Sequence, residues 1–288
     1  MLQQAKAPES VPMTEEAFAP NDRTDVYWLT SDCFLINSHG TTILIDPSLS
    51  SSYSDPYQSE VMDDAGEEYL RLLVKPPIYA SDIKELSAIL ITHSDPDHMG
   101  PDSIRALATN TTAKFHGTPY TCQELQKLGV PAERTVIHNR GEFFNIDDVR
   151  VEVTEAFHPW QVQWPEIVEH VFQKEDVCGF KFYTRDAKIW HPGDSCLLQS
   201  HFKTIEDCDL VLMDFSDDKP NFHFGMQEAA DLVNSNPKCD IIMCHWGTFY
   251  SPDVPSYACD PEVVKPLIEN VERFHVVTPG VKFVATRK

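Results

Sequence analysis

The stretch "ITHSDPDHMG" sets four side chains able to bind a metal or move a proton within six positions: His93, Asp95, Asp97 and His98. An aliphatic run, "AILIT", leads straight into them. The same pairing of a β-rich run with a terminal acid or imidazole recurs. His158 closes "VEVTEAFH", Asp194 follows "AKIWHPG", and His245 closes "DIIMCH". Imidazole nitrogen and carboxylate oxygen are the donors that Zn(II), Mn(II) and Fe(II) accept from proteins. A strand end holds its side chain at the rim of a sheet, so groups from several strand ends can converge on one point while each stays rigid. One Asp-rich turn alone reads equally as a solvated loop or a helix cap; its recurrence along the chain points to a single assembled site.

The elements that must position these groups are legible from periodicity. "VYWLT", "CFLINS" and "TTILIDP" read as an antiparallel meander, with His39 and Gly40 as its last tight turn. Residues 48 to 62 read as a loop. Short helices are expected at "EEYLRLLV", ended by Pro76 and Pro77, and at "SDIKEL", with Ser81 or Asp82 as N-cap. "AILIT" is a buried strand delivering the first motif, and a helix with Pro101 in its first turn follows it. Strand "AKFHG", helix "PYTCQELQKLG", strand "RTVIH" and the alternating "VRVEVTEAF" come next. Residues 158 to 176 interrupt this order. Strands then resume at "VCGFKFYT", "AKIWH" and "DLVLMDF". Helix "GMQEAADLVN", strand "DIIMCH", helix "EVVKPLIENVERF" and strand "VKFVA" complete the pattern. It predicts one domain, residues 23–288, of two sheets with outer helices, preceded by an arm, residues 1–22, lying on the surface.

Composition narrows the function. With 288 residues and 42% hydrophobic content the chain can bury a substantial core. A formal charge of -22 argues against general attraction to nucleic acid or to an anionic membrane, because both rely on basic patches. A small-molecule substrate is the expected partner, and a homo-oligomer stays open. No stretch approaches the roughly 20 apolar residues that span a bilayer. The eight cysteines form no CxxC pair, so they read as reduced thiols of a cytoplasmic protein. The N-terminus shows no basic start followed by an apolar run, and no secretory signal is expected.

In order and spacing, HxDxDH at 93 to 98, the lone His158, "HPGDS" at 191 to 195 and "HWGTF" at 245 to 249 resemble the metallo-β-lactamase superfamily. Within it, "PPIYASDIKELSAILITH", "GVPAERTVI" and "HPGDS" are most similar to the L-ascorbate-6-phosphate lactonase family. The resemblance implies an α+β fold, a four-layer αββα sandwich, with a dinuclear metal site between the sheet edges. It implies that His93, Asp95 and His158 hold one divalent ion, that Asp97, His98 and His245 hold the other, and that Asp194 bridges them. The ions are expected to be Mn(II) or Zn(II), with Fe(II) a further candidate. Two ions at roughly 3.5 to 4 Å can lower the pKa of a shared water towards ~7. The implied function is then hydrolysis by a bridging hydroxide, with Asp97 or Asp194 passing the proton to the leaving group. A lactone or ester of a small polar metabolite, with or without a phosphate group, is the first expectation; a phosphodiester is the alternative.

Two positions depart from the family pattern. Most members carry His where this chain has Asp95, and the lactonase family carries an acid where His158 stands. Two divalent ions, three carboxylates and one hydroxide balance to zero charge, whereas a His at position 95 leaves one positive charge. A more anionic shell of oxygen donors favours Mn(II) or Fe(II) over Zn(II). Flavodiiron proteins of the same superfamily also place a carboxylate there, which keeps a diiron oxidoreductase as an alternative of another class, although no flavin domain is read here.

Other residues carry weaker expectations. His223, just before a helix, is a substrate-binding candidate or an N-terminal cap. His191 and His116 are substrate-binding candidates or supports of the ligands. Trp160 and Trp164 could cover the substrate or simply anchor a loop. Asp46 in "LIDP" is expected to brace the loop of the first motif. "DFSDDKP" at 214 to 220 reads as a solvated loop. Cys196 and Cys244 have no evident activating partner, so thiolate catalysis is not expected.

Overall fold

A computed structural model describes residues 5–50, 72–163, 170–216, 222–249 and 260–288. The meander forms as the β-rich runs predict: β1 (Thr24–Thr30), β2 (Cys33–Ser38) and β3 (Thr41–Ile45) pair antiparallel. His39 and Gly40 both take positive φ, 53° and 92°, which suits a two-residue hairpin whose twist matches its strands. β4 (Ala88–Leu90), β5 (Lys114–Gly117) and β6 (Thr135–Ile137) then add in parallel, with α1 (Pro101–Asn110) and α2 (Pro119–Lys127) as the crossovers. Pro opens both helices, where its missing N–H costs nothing. The last strand, β14 (Lys282–Ala285), closes this seven-stranded sheet beside β1.

The second seven-stranded sheet repeats the plan. β7 (Phe143–Ile146), β8 (Val149–Glu155), β9 (Cys178–Tyr183) and β10 (Lys188–His191) run antiparallel; β11 (Leu210–Met213), β12 (Asp240–Met243) and β13 (Phe274–His275) follow in parallel. Their crossovers carry α3 (Gln199–Ile205), α4 (Met226–Asn234) and the single turn α5 (Pro261–Val264). Alternate residues of the first sheet divide between two cores. Val26, Trp28, Phe34, Ile36, Ile43 and Ile45 pack with Val151, Phe180 and Ile189 of the second sheet. Leu29, Leu35 and Leu44 pack with Ile104 and Leu107 of α1 and Leu125 of α2. The first sheet therefore lies between helices and the other sheet, which is why β1 to β3 are buried at every position. This is the αββα sandwich. In each sheet the parallel strands end at the same rim, where open α/β sheets place their sites.

Some local expectations are corrected. "SDIKEL" makes only a 3-10 turn at Ala80–Asp82, with Tyr79 at its N-cap position. "EVVKPLIENVERF" is not one helix: α5 gives way to 3-10 turns at Lys265–Leu267 and Val271–Arg273, because Pro266 removes a donor and its ring blocks the helical path. β7, α3 and β13 were not anticipated. "EEYLRLLV" and the loop at 48 to 62 fall largely outside the described residues, and Leu72 bridges Phe249 in extended pairing. The described part of the arm is mostly exposed and is pinned at separate points. Ala7, buried in the inter-sheet core, donates its N–H to Gly247 O at 3.1 Å, and Val11 donates to Pro279 O at 2.9 Å. Glycines make room for it: a Cβ on Gly247 would sit 2.3 Å from Ala7 N, and one on Gly280 2.1 Å from Val11 O.

Candidate metal centre

All seven expected ligands meet at the rim between the sheets. The loop after β4 presents His93, Asp95, Asp97 and His98, and the rest of the set comes from the second sheet: His158 beyond β8, Asp194 beyond β10 and His245 beyond β12. Asp194 Oδ2 is the hub. It lies 3.1 Å from His98 Nε2, 3.7 Å from His158 Nε2, 3.7 Å from His245 Nε2 and 4.0 Å from His93 Nε2. On one side Asp95 Oδ2 stands 3.2 Å from His93 Nε2 and 3.5 Å from His158 Nε2. On the other, Asp97 Oδ2 stands 3.1 Å from His245 Nε2 and 3.9 Å from His98 Nε2. The sets His93–Asp95–His158 and Asp97–His98–His245 each bring one donor atom per residue to within 4.8 Å of the others.

The outer ring nitrogens are already committed, and this aims the inner ones. Asp46, fully buried at the end of β3, accepts from Thr92 N–H at 2.7 Å, from the Thr92 hydroxyl at 2.6 Å and from His98 Nδ1 at 2.9 Å. The Thr92 hydroxyl, having given its proton, accepts from His93 Nδ1 at 3.0 Å. His158 Nδ1 donates to Phe222 O at 2.9 Å. In these three rings an Nδ1–H leaves the Nε2 lone pair facing the cluster, as in metal-binding histidines whose outer nitrogen is tied down by a hydrogen bond. Backbone strain gathers here too: Ser31, Asp46 and His245 take φ of 40°, 45° and 57°, and His245 N–H donates to Ser31 O. Side chains are rarely held this way unless their surroundings over-determine them.

Burial opposes charge on every one of these acids, yet neighbours outweigh it. The His93 charge, with hydrogen bonding from His158, holds the Asp95 carboxyl below the usual range. Asp97 is lowered chiefly by His98, and Asp194 is held well below by His223, His245 and His98. In return, against the pull of burial, Asp194 and then Asp97 raise His98 well above its ordinary value and His245 to about 9. His98 and His245 thus share the cluster with carboxylates that favour their protonated form. Even so, the buried atoms His93 Nε2, His98 Nε2 and Asp194 Oδ1 have no hydrogen-bond partner. Such atoms are rare in native interiors and ask for a ligand. Three carboxylates and four imidazoles around them fit divalent metal ions.

The beta-lactamase superfamily domain family matches residues 41–246. The chain belongs to that family. Among curated relatives it is 26% identical over 262 residues to a UPF0173 metal-dependent hydrolase of Pyrobaculum islandicum, covering 88% of this chain and 97% of the relative. Solved structures of the same fold include isothiocyanate hydrolase from Delia radicum gut bacteria, with TM-score 0.71, 14% identity, and coverage of 92% of this chain and 100% of that one. A metallo hydrolase from Ignicoccus hospitalis aligns with TM-score 0.65 and 16% identity over 93% of this chain and all, 100%, of its own.

Against this beta-lactamase superfamily frame the remaining candidates separate. His223 joins His158 and Asp194 in one group of donors, and its Nδ1 lies 3.0 Å from Asp214 Oδ2. Trp160 donates its indole N–H to Asp95 Oδ2 at 2.7 Å. Trp164 lies outside the described residues. His191 is fully buried with both ring nitrogens engaged: its Nε2 donates to Asp32 O at 3.0 Å and its Nδ1 accepts from Gly193 N–H at 3.1 Å, which braces the loop of Asp194. His116 shares a hydrogen bond of 2.9 Å with His138, and burial pushes it down to about 3. Asp214 was read as part of a solvated loop, but it is buried, and burial pushes its carboxyl up to about 6. The signal was present, since Asp214 follows a strand as Asp194 does. Burial and then Asp32 raise the Cys244 thiol well above its ordinary value, which disfavours a thiolate there.

Proposed function

We propose that the chain is a metal-dependent hydrolase that opens a lactone or a related ester of a small polar metabolite. His93, Asp95 and His158 would hold one divalent ion, Asp97, His98 and His245 a second, and Asp194 would stand between them. One observation carries this reading: a single oxygen, Asp194 Oδ2, lies within 4.0 Å of imidazoles belonging to both sets. When bound, such ions supply hydroxide at neutral pH and polarise the bond under attack. The chain's own residues do the rest. Asp97 and Asp194, kept ionised, are placed to take a proton and deliver it to the leaving group. His223, fixed at Nδ1 by Asp214, presents its imidazole beside Asp194, 3.6 Å away, as the group that orients the substrate. The likeness of "HPGDS" and "GVPAERTVI" to the L-ascorbate-6-phosphate lactonase family supports the lactone. Among the described residues Cys33, Cys122, Cys178, Cys208, Cys239 and Cys244 are free thiols, which suits a reducing compartment, and we place the protein in the cytoplasm. Among the described residues no helix is long and apolar enough to cross a membrane.

Metal analysis followed by turnover of a lactone and ester panel beside bis-p-nitrophenyl phosphate tests the proposal. Lactone or ester cleavage that is lost in Asp194→Asn is the expected result; cleavage of the phosphodiester alone overturns the substrate class. The carboxylate at position 95 favours a second reading, a diiron oxidoreductase. Anaerobic purification with iron analysis and an oxygen-consumption assay tests it, and an iron-free active hydrolase eliminates it.

A further inference from the structure

The departure at position 95 has a structural partner. Trp160 opens the 3-10 turn Trp160–Gln163, two residues beyond His158, and its indole N–H reaches Asp95 Oδ2 at 2.7 Å. That same oxygen faces His93 Nε2 and His158 Nε2. Indole is a donor only, so Trp160 cannot itself ligate an ion. A carboxylate oxygen, in contrast, has two lone pairs and can accept the indole proton with one while offering the other to a cation. An imidazole at position 95 has a single lone pair in its ring plane, and once a cation takes it nothing remains for the indole to donate to.

We propose that Trp160 is a positioning residue matched to Asp95: it fixes the carboxylate so that one oxygen lone pair points between His93 and His158, and it makes position 95 selective for an acid. This rests on the metal-centre reading. Two consequences are separable from stability. Trp160 sets affinity only through Asp95, so its contribution disappears when Asp95 is replaced by His. It also contributes to the preference among metals, because a carboxylate oxygen tied to an indole is less free to swing into two-oxygen contact, the mode that a larger ion such as Mn(II) uses more readily than Zn(II).

The experiment is a double-mutant cycle of metal binding. Metal-free wild type, Trp160→Phe, Asp95→His and the double variant are titrated with Zn(II) and with Mn(II) against a chromophoric chelator, and a thermal melt of each metal-free protein confirms folding. Losing a partner that orients a ligand typically costs about 10- to 100-fold in affinity, which is the loss expected for Trp160→Phe in the wild-type chain. In the Asp95→His background the same change should cost less than about threefold, and the Mn(II)-to-Zn(II) affinity ratio of the Asp95 protein should shift when Trp160 is removed. Equal losses in both backgrounds, or none in the wild-type chain, overturn the inference while leaving the metal centre intact. Failure of the wild-type chain to bind either ion stoichiometrically overturns the metal-centre reading and this inference with it. Misfolding of Trp160→Phe is met by Trp160→Gln, whose side-chain N–H can restore the bond to Asp95 without offering an imidazole to the ion, and which should recover affinity if positioning is the role.

Discussion

Asp46→Asn changes no volume and touches no cation, yet it should selectively weaken one ion. Asp46 is fully buried and accepts three hydrogen bonds, two on Oδ2. In the variant the amide oxygen can keep Thr92 N–H, but the NH2 group then meets the Thr92 hydroxyl and His98 Nδ1–H. The hydroxyl can rotate and accept. His98 cannot, unless its proton moves to Nε2, which is the atom aimed at Asp97 and Asp194. Either outcome harms the set Asp97–His98–His245: an orphaned donor pair or a blocked ligand. A hydrogen bond to a charged group is worth about 1.5–3 kcal/mol, and at 1.4 kcal/mol per tenfold this becomes a rise in Kd of about 10- to 100-fold. The ion held by His93, Asp95 and His158 should change far less, because the Thr92 hydroxyl still accepts from His93 Nδ1. A two-step isotherm against a chromophoric chelator resolves the two events. Affinity unchanged within about twofold at both steps, with the fold intact, would refute the argument that Asp46 sets the tautomer of His98.

Gly247→Ala should destabilise the fold more than Gly141→Ala. Both glycines have positive φ, 64° and 78°, but only at Gly247 does an added Cβ meet the arm, 2.3 Å from Ala7 N, so the difference in urea midpoints reads the arm contact alone. Acid should weaken the fold through His116 and His201, which burial depresses from 6.5 to about 3 and about 4. Each is neutral when folded and protonated when unfolded, so stability is full above the unfolded pKa and falls as pH drops through 6.5 towards the folded values. Between about pH 7.5 and about pH 5 each site gives up about 2 kcal/mol, while His98, His245 and Asp214, shifted the other way, gain over the same window; the test therefore compares wild type with His201→Gln, and a pH dependence of the urea midpoint that the substitution leaves unchanged contradicts the assignment. Asp95→His should move metal content after growth in balanced medium towards Zn(II), and exclusive zinc in both proteins refutes the charge argument.

Much of this was legible because strand and site share a signal. Short β-rich runs place β1 to β3, a two-residue period places β8, and each ligand sits where such a run stops, so a strand end and a candidate ligand can be read together. What escaped reading has physical causes. β7 and β13 are short edge strands, and α3, seven residues long, is too short to show a helix-specific period. The run at 261 to 273 has helical periodicity, but Pro266 overrides it. The partner of Trp160 and the burial of Asp214 are tertiary facts, set by the approach of two loops distant in sequence. Asp46 was placed correctly because an acid just after a strand, beside another strand carrying the motif, has little else to do than accept hydrogen bonds.

The distribution of donors explains why the centre needs both sheets. The motif after β4 supplies two imidazoles and two carboxylates, which alone would repel one another or pair internally. The second sheet contributes His158, Asp194 and His245, so that Asp194 Oδ2 can sit among four rings. Each sheet is already stabilised by its own packing, since the inter-sheet core is aliphatic and aromatic and includes none of the ligands. The rim is therefore free to hold what an interior would not tolerate: strained backbone at Asp46 and His245 and lone pairs without partners at His93 and His98. Strained residues of this kind cost about 1–3 kcal/mol each. A core that is stable without the site can absorb that cost, and the benefit appears only when cations arrive, because the donors are then already aimed and no reorganisation is needed.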